Sequence, residues 1–250
     1  MDDVQVLALL NEVADAVAAV LGELDDWGLA GTRDGQYRSD LAADTIAVER
    51  LTAAGLGVLS EESGRHLPDA AVTVVVDPLD GSTNASHRIP WYATSLCAVD
   101  AEGPLAAVVL NLASGQRFTA VRGRGAHLDG RPIHASGRTN LGSALIGLSG
   151  FPARWLGWRQ YRALGAAALD LCLVASGALD GYVDCSVDAH GSWDYLGGLL
   201  VCQEAGAVVT DAADRDLIVL DHAARRTPVA AATPDLHAEL LHARRSLSPA

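Results

Sequence analysis

Lysine is missing altogether from the 250 residues, so all 18 arginine-or-lysine charges are arginines, set against 31 carboxylates for a net charge of −13. With alanine and glycine abundant, that absence marks a high-GC source and says nothing of function. The negative balance excludes nucleic acid as a partner, because a phosphate backbone demands a basic face. Cysteine is sparse. Cys97, Cys172, Cys185 and Cys202 show no Cys-x-x-Cys spacing, and three of them lie in apolar runs, where a thiol behaves as a small hydrophobe. They are expected to be reduced, in a cytoplasmic protein. No apolar run is expected to reach the length of a membrane span, and Met1-Asp2-Asp3 is acidic where a secretory signal would be basic. Repeats and low-complexity tracts are also lacking. A chain of this length can bury a sizeable core, in one large domain or two small ones.

Asp77-Pro78-Leu79-Asp80-Gly81-Ser82-Thr83-Asn84 follows the apolar run Val72-Thr73-Val74-Val75-Val76. The β-branched run reads as a strand covered on both faces. Pro78 is expected to stop it and to hold Asp77 extended. Asp77 and Asp80 can then enter one crevice, backed by a Gly81-Ser82-Thr83 turn whose amides and hydroxyls suit a phosphate. Carboxylates beside an anion cradle imply a hard cation between them, and oxygen ligands favour Mg²⁺. A tight surface turn is the competing reading of Asp-Pro-Leu-Asp-Gly.

Further acids shift the balance. Ala43, Ala47, Val48, Leu51 and Ala54 recur at helical spacing with Asp44 on the same stripe, and an acid facing the interior needs a partner. Ser192-Trp193-Asp194 opens a second helical pattern, with Ser192 as the expected N-cap and Asp194 in the first turn, where a solvated acid complementing the helix dipole is the plain alternative. Glu61 and Glu62 follow a short apolar run and could be loop charges.

Taken together, Glu61, Asp77 through Asn84, Trp193-Asp194 and Glu204-Ala205-Gly206 resemble the inositol monophosphatase family of Mg²⁺-dependent, lithium-sensitive phosphatases. The likeness extends from about Asp40 nearly to the end of the chain. It implies two or three Mg²⁺ per site: Glu61, Asp77 and the Leu79 carbonyl on the first, Asp77, Asp80 and Asp194 on the second. Asp44 would work with Ser82 to orient and deprotonate the attacking water, and Asp80, Gly81, Ser82, Thr83 and Asp184 would meet the substrate. Four departures from the family pattern stand out. Ser82 replaces a threonine, Ser60 a glycine, and Arg33 a lysine. Asp184 replaces a glutamate, on a Cys185–Gly191 loop that looks longer than usual. His190 reads as a surface or supporting residue because Mg²⁺ prefers oxygen. Trp91, Trp155 and Trp158 read as packing or interface residues.

The resemblance implies a small phosphate ester as substrate, inositol monophosphate first, with histidinol phosphate, a fructose phosphate or an adenosine bisphosphate as alternatives. A non-catalytic metal-binding regulator of the same fold is the alternative of another class. Family members are often homodimers.

Elsewhere, Val6 through Leu24 mark a first helix. Ala93–Val99, Leu105–Leu112 and Arg117–Val121 read as hairpin strands between turn signals, and Ala126–Leu128 as a further one. After about residue 140 strands alternate with helices, and Thr233-Pro234 opens a terminal helix through Leu241. The expectation is an α/β (α+β) layered sandwich of the αβαβα, sugar-phosphatase-like kind. Its halves would be 1–140 and 141–250, with the site between them.

Overall fold

The computed structural model describes residues 1–32 and 36–247. It opens with helix α1 (Asp3–Gly22). Val6, Leu10, Val13, Ala14, Val17 and Leu21, spaced three and four apart, are its buried face. Its start is locked by reciprocal bonds: the Asp2 carboxylate accepts from the Gln5 amide at 2.8 Å, and the Gln5 side chain accepts from the Asp2 amide at 2.9 Å. By length and composition α1 could cross a membrane, contrary to expectation; here its apolar face packs on a second helix and a sheet.

Helix α2 (Arg38–Ala53) carries Asp44 on its buried side. Strands β1 (Gly57–Ser60), β2 (Gly64–His66) and β3 (Thr73–Asp80) precede the short helix α3 (Ser82–Ser86). The hairpin strands β4 (Ala93–Asp100), β5 (Gly103–Asn111), β6 (Arg117–Val121), β7 (Ala126–Leu128) and β8 (Arg131–Ile133) follow. They make one eight-stranded sheet in the order β2-β1-β3-β4-β5-β6-β7-β8, parallel only between β1 and β3. Next come β9 (Leu145–Ser149), β10 (Gln160–Arg162), helix α4 (Ala167–Ala175), β11 (Gly181–Asp184), helix α5 (Ser192–Glu204), β12 (Val208–Asp211), β13 (Pro228–Ala231) and helix α6 (Pro234–Arg245). The second sheet runs β10-β9-β11-β13-β12.

Five layers result. α1 and α2 cover the outer face of the large sheet, α4 and α5 fill the space between the sheets, and α6 covers the far face of the small sheet. α5 can approach β4 closely because Gly197 has no side chain: a Cβ there would lie 2.5 Å from Ser95 Oγ. The layered α/β expectation is met. The division at about residue 140 is a proposal that the change of sheet supports. Since α5 packs on the first sheet, that division separates two sheets sharing one helical layer.

Three local expectations are corrected. β3 does not stop at Pro78; it continues to Asp80, re-registering on β4. The N-cap of α5 is Gly191, not Ser192, which is the first helical residue. α6 extends a turn beyond Leu241 to Arg245, its start capped by Thr233, whose hydroxyl accepts from the Leu236 amide at 3.3 Å.

Candidate active site

Two carboxylates three residues apart on an even strand would point to opposite faces. β3 avoids this with an irregularity: Asp77 faces Ser95 and Asp80 faces Ala93, so three steps on β3 match two on β4. The extra residue is a bulge, which is where a proline without an N–H is tolerated inside a sheet, and it brings the two acids to one side. Asp77 Oδ1 accepts from the Leu79 amide at 3.1 Å. Gly81 then turns in the left-handed region, φ +84°, and a Cβ would sit 3.0 Å from the Trp91 carbonyl and 3.1 Å from that of Gly165. Only glycine satisfies both constraints. α3 begins here, and the first amides of a helix have no intrahelical acceptor.

Glu61 continues from the end of β1, its amide bonded to the Val76 carbonyl at 3.1 Å. Asp194 is the third residue of α5 and accepts from the Gly191 amide at 2.6 Å. These acids feel one another. Burial pushes Glu61 up to about 8, with Asp194, Glu62, Asp40 and Asp80 adding to the rise. Burial also holds Asp77 well above the usual carboxylate range, reinforced by Glu61, Asp80 and Asp194. Asp80 is raised by burial and then by Asp194. Four carboxyl groups from β1, β3 and α5 thus converge. They form an open cluster: among the described residues no three acidic, imidazole or thiol groups already stand in ligating arrangement. Buried, mutually repelling oxygens short of positive charge are the donor set a hard cation requires.

Asp80 has a support the sequence reading missed. Its two oxygens accept from the Ala167 and Ala168 amides at 3.2 and 2.7 Å. The cap position of α4, Ala166, offers no hydrogen-bonding side chain, so Asp80 caps that helix from a distant strand. A helix start preceded only by glycine and alanine was the available signal.

Asp44 is buried, but the hydroxyl bonded to its carboxylate belongs to Ser60, not to Ser82. Ser60 Oγ also accepts from the Glu62 amide at 3.1 Å. The serine in place of glycine is therefore part of the site's frame, which sequence reasoning passed over. Ser82 and Thr83 lie on α3, half-buried and exposed. Arg33 lies outside the described residues.

Across the crevice, Asp184 ends β11 and its side chain is fully buried. Its Oδ1 accepts from the Ser186 amide at 2.9 Å, and the Arg244 guanidinium donates to its backbone carbonyl. His190 is not a surface residue. Its ring lies between Asp184 and Asp194, Nε2 3.6 Å from the first and Nδ1 3.4 Å from the second. Burial alone would lower its pKa, but Asp194, Asp184 and Asp80 outweigh that and push it up to about 9. Glu204 stands away from the carboxylates: its oxygens accept from the Gly123 and Gly125 amides, both at 2.8 Å, bracing the β6–β7 turn. Trp91 bonds through Nε1 to Asp170 at 2.9 Å. Trp158 is buried, and Trp155 is 67% exposed.

The model of the inositol monophosphatase family matches residues 17–248. A Pyrococcus furiosus fructose-1,6-bisphosphatase is 33% identical over 198 residues, covering 77% of this chain and 76% of that protein. An inositol-1-monophosphatase of Mesorhizobium japonicum is 36% identical over 232 residues, covering 82% and 85%. Among solved structures, a Pyrococcus horikoshii protein described as having similarities to inositol-1 monophosphatase superimposes with a TM-score of 0.84 at 25% identity, covering 95% of this chain and 98% of that one.

Proposed function

The chain belongs to the inositol monophosphatase family, a family of phosphatases, and from that premise we propose that it is a Mg²⁺-dependent phosphomonoesterase acting on a small polyol phosphate, inositol monophosphate first. The observation that carries the reading is the convergence of Glu61, Asp77, Asp80 and Asp194, each of the first three raised by burial and by its neighbours. Such a cluster is costly when empty and useful when loaded.

Glu61, Asp77 and the Leu79 carbonyl would hold one Mg²⁺, and Asp77, Asp80 and Asp194 a second. Bound there, the cations would neutralise the phosphate, acidify a water and stabilise the leaving oxygen. The chain's own groups do the rest. Asp44, fixed by Ser60, would accept the proton of the attacking water. The Gly81–Thr83 segment at the start of α3 would orient the phosphate oxygens through amides and hydroxyls. The Ala167 and Ala168 amides keep Asp80 aimed.

The substrate is open at finer grain, because the relatives bear names for two different sugar-phosphate substrates. A fructose phosphate stands beside inositol monophosphate for that reason. Phosphate release from a panel of inositol, fructose, histidinol and adenosine phosphates, with and without Mg²⁺, tests the reading. Turnover of one polyol ester, lost on chelation, is the expected result. No turnover of any ester with Mg²⁺ present would refute it in favour of a regulator.

A further inference from the structure

The loop from Cys185 to Gly191 is tied down at Cys185, Ser186, Asp188 and His190. The Cys185 amide bonds to the Ser149 carbonyl at 2.8 Å, and the Arg244 Nη2 donates to the Ser186 carbonyl at 2.6 Å. The Asp188 amide reaches Thr227 Oγ1 at 3.0 Å, and its carboxylate pairs with Arg215 at 2.6 Å. His190 exchanges backbone bonds with Arg226, at 3.2 and 2.8 Å. A surface loop with no task has no need of anchors from β9, α6 and the segment before β13. What the anchors deliver is one imidazole. Its Nε2 stands 3.2 Å from both Tyr182 Oη and Ser149 Oγ, and 3.6 Å from Asp184 Oδ2, an oxygen that makes no hydrogen bond of its own. Its Nδ1 stands 3.4 Å from Asp194 Oδ2. That same oxygen accepts from the Gly191 amide. Both of Asp194's neighbours from the loop therefore engage Oδ2 and neither engages Oδ1.

We propose that His190 is a positioning residue: backed by Asp184, Tyr182 and Ser149, it fixes the rotamer of Asp194 so that Oδ1 is presented to the second cation, coupling cation affinity to the leaving-group loop. The inference rests on the metal-centre reading above. It gives the long loop a task that direct contact between Asp184 and substrate would not, since Asp184 is enclosed behind the imidazole. Supporting partners of carboxylate ligands are worth roughly tenfold to a hundredfold in metal affinity when removed.

Mg²⁺ binding to the full chain, measured calorimetrically without substrate, tests it in wild type, His190→Ala and His190→Asn, alongside melting temperature. Kinetics follow on glycerol 2-phosphate. In His190→Ala the weaker Mg²⁺ event should lose roughly tenfold to a hundredfold in affinity while the tighter one holds. The Mg²⁺ needed for half-maximal turnover should rise in parallel, with kcat at saturating Mg²⁺ within a few-fold of wild type. His190→Asn, which keeps a donor where Nδ1 stands, should recover much of the affinity. Should His190→Ala not fold, the asparagine variant and a His190→Gln variant carry the same test, with asparagine, whose Nδ2 lies as far along the side chain as Nδ1, keeping affinity and glutamine, whose amide falls at the Nε2 position facing Asp184, losing it. Unchanged affinity in folded variants overturns the proposal, even where melting temperature falls, because that is the signature of packing alone. If wild type itself binds no Mg²⁺, the metal-centre reading fails and takes this inference with it, an outcome distinct from wild-type binding that the variants preserve.

Discussion

The two walls of the crevice bury carboxylates in opposite ways. On the strand wall, Asp77 and Asp80, beside Glu61, are offered backbone amides and little else: Leu79 for Asp77, Ala167 and Ala168 for Asp80. On the loop wall, Asp184 has the Ser186 amide, the His190 imidazole and the Arg244 guanidinium, all of which favour its charged form, although burial still raises it. One wall is left short of positive charge and the other is neutralised from within. The difference separates a surface that must take up a cation from one that must keep its shape.

The largest expected effect breaks the strand wall. Asp80→Asn should lower kcat by at least about 10³, near 4 kcal/mol, because its charge acts mainly on the transition state. The metal-free variant should melt close to wild type, since removal of a repelled, buried charge offsets the loss of one of the two amide bonds that cap α4. A variant keeping most of its turnover would show that the strand wall is not the catalytic one.

The contrast also predicts how stability follows pH. Glu61 rises from 4.5 to about 8 in the folded chain, so the folded state holds a proton that the unfolded state releases. Its burial costs nothing below about 4.5, and the cost grows until about 8. Asp77 and Asp80 shift in the same direction. His190, raised to about 9, contributes stability at low pH that is lost as pH passes that value. Metal-free protein should therefore melt highest near the acid end of the range from pH 5 to 9 and progressively lower above it. Mg²⁺, which needs ionised oxygens, should raise the melting temperature most at the alkaline end. A metal-free chain that gains stability toward pH 8 would remove the asymmetry between the walls.

How much of this was legible in the sequence follows the same line. Asp77, Asp80 and Asp194 announce themselves because their chemistry needs a particular residue type beside a strand end or helix start, and alternation and helical spacing mark those places. What escaped depended on tertiary approach. Nothing in Leu164-Gly165-Ala166-Ala167 says that two amides will meet a carboxylate from β3. The continuation of β3 past Pro78 needed the partner strand's register. Ser60 was passed over because a small residue at a strand end has many uses, and its bond to Asp44 joins elements that the sequence does not pair. Of the two readings of His190, surface or supporting, the geometry agrees with the second, and only the fold could decide it, because the ring is set between Asp184 and Asp194.

A smaller effect sharpens the role of the frame. Ser60→Gly removes the hydroxyl that Asp44 and the Glu62 amide share. Losing a hydrogen bond to a charged group costs roughly 1.5–3 kcal/mol, so kcat should fall by about tenfold to a hundredfold at saturating Mg²⁺, with Mg²⁺ affinity little changed. Loss of Mg²⁺ binding instead would mean that Ser60 supports Glu61, and that Asp44 finds its hydroxyl on Ser82 as the family likeness implies.

The smallest expected effect lies on the loop wall. Asp184→Ala leaves the Ser186 amide without its acceptor and the His190 imidazole without a neighbouring carboxylate. An unpaired buried polar group costs about 1–3 kcal/mol, but these two can turn toward water entering the space the carboxylate leaves, which keeps the loss near the lower bound. The loop that Asp184 braces should loosen, which weakens leaving-group selection while the strand acids stay in place. At saturating Mg²⁺, KM for the best polyol phosphate should rise several-fold and hydrolysis of glycerol 2-phosphate should be spared. At limiting Mg²⁺ both substrates should slow, because a loosened imidazole no longer braces Asp194. Equal losses on both substrates at saturating Mg²⁺ would show that Asp184 supports the catalytic centre directly, and the division between a cation-seeking wall and a shape-keeping wall would not hold.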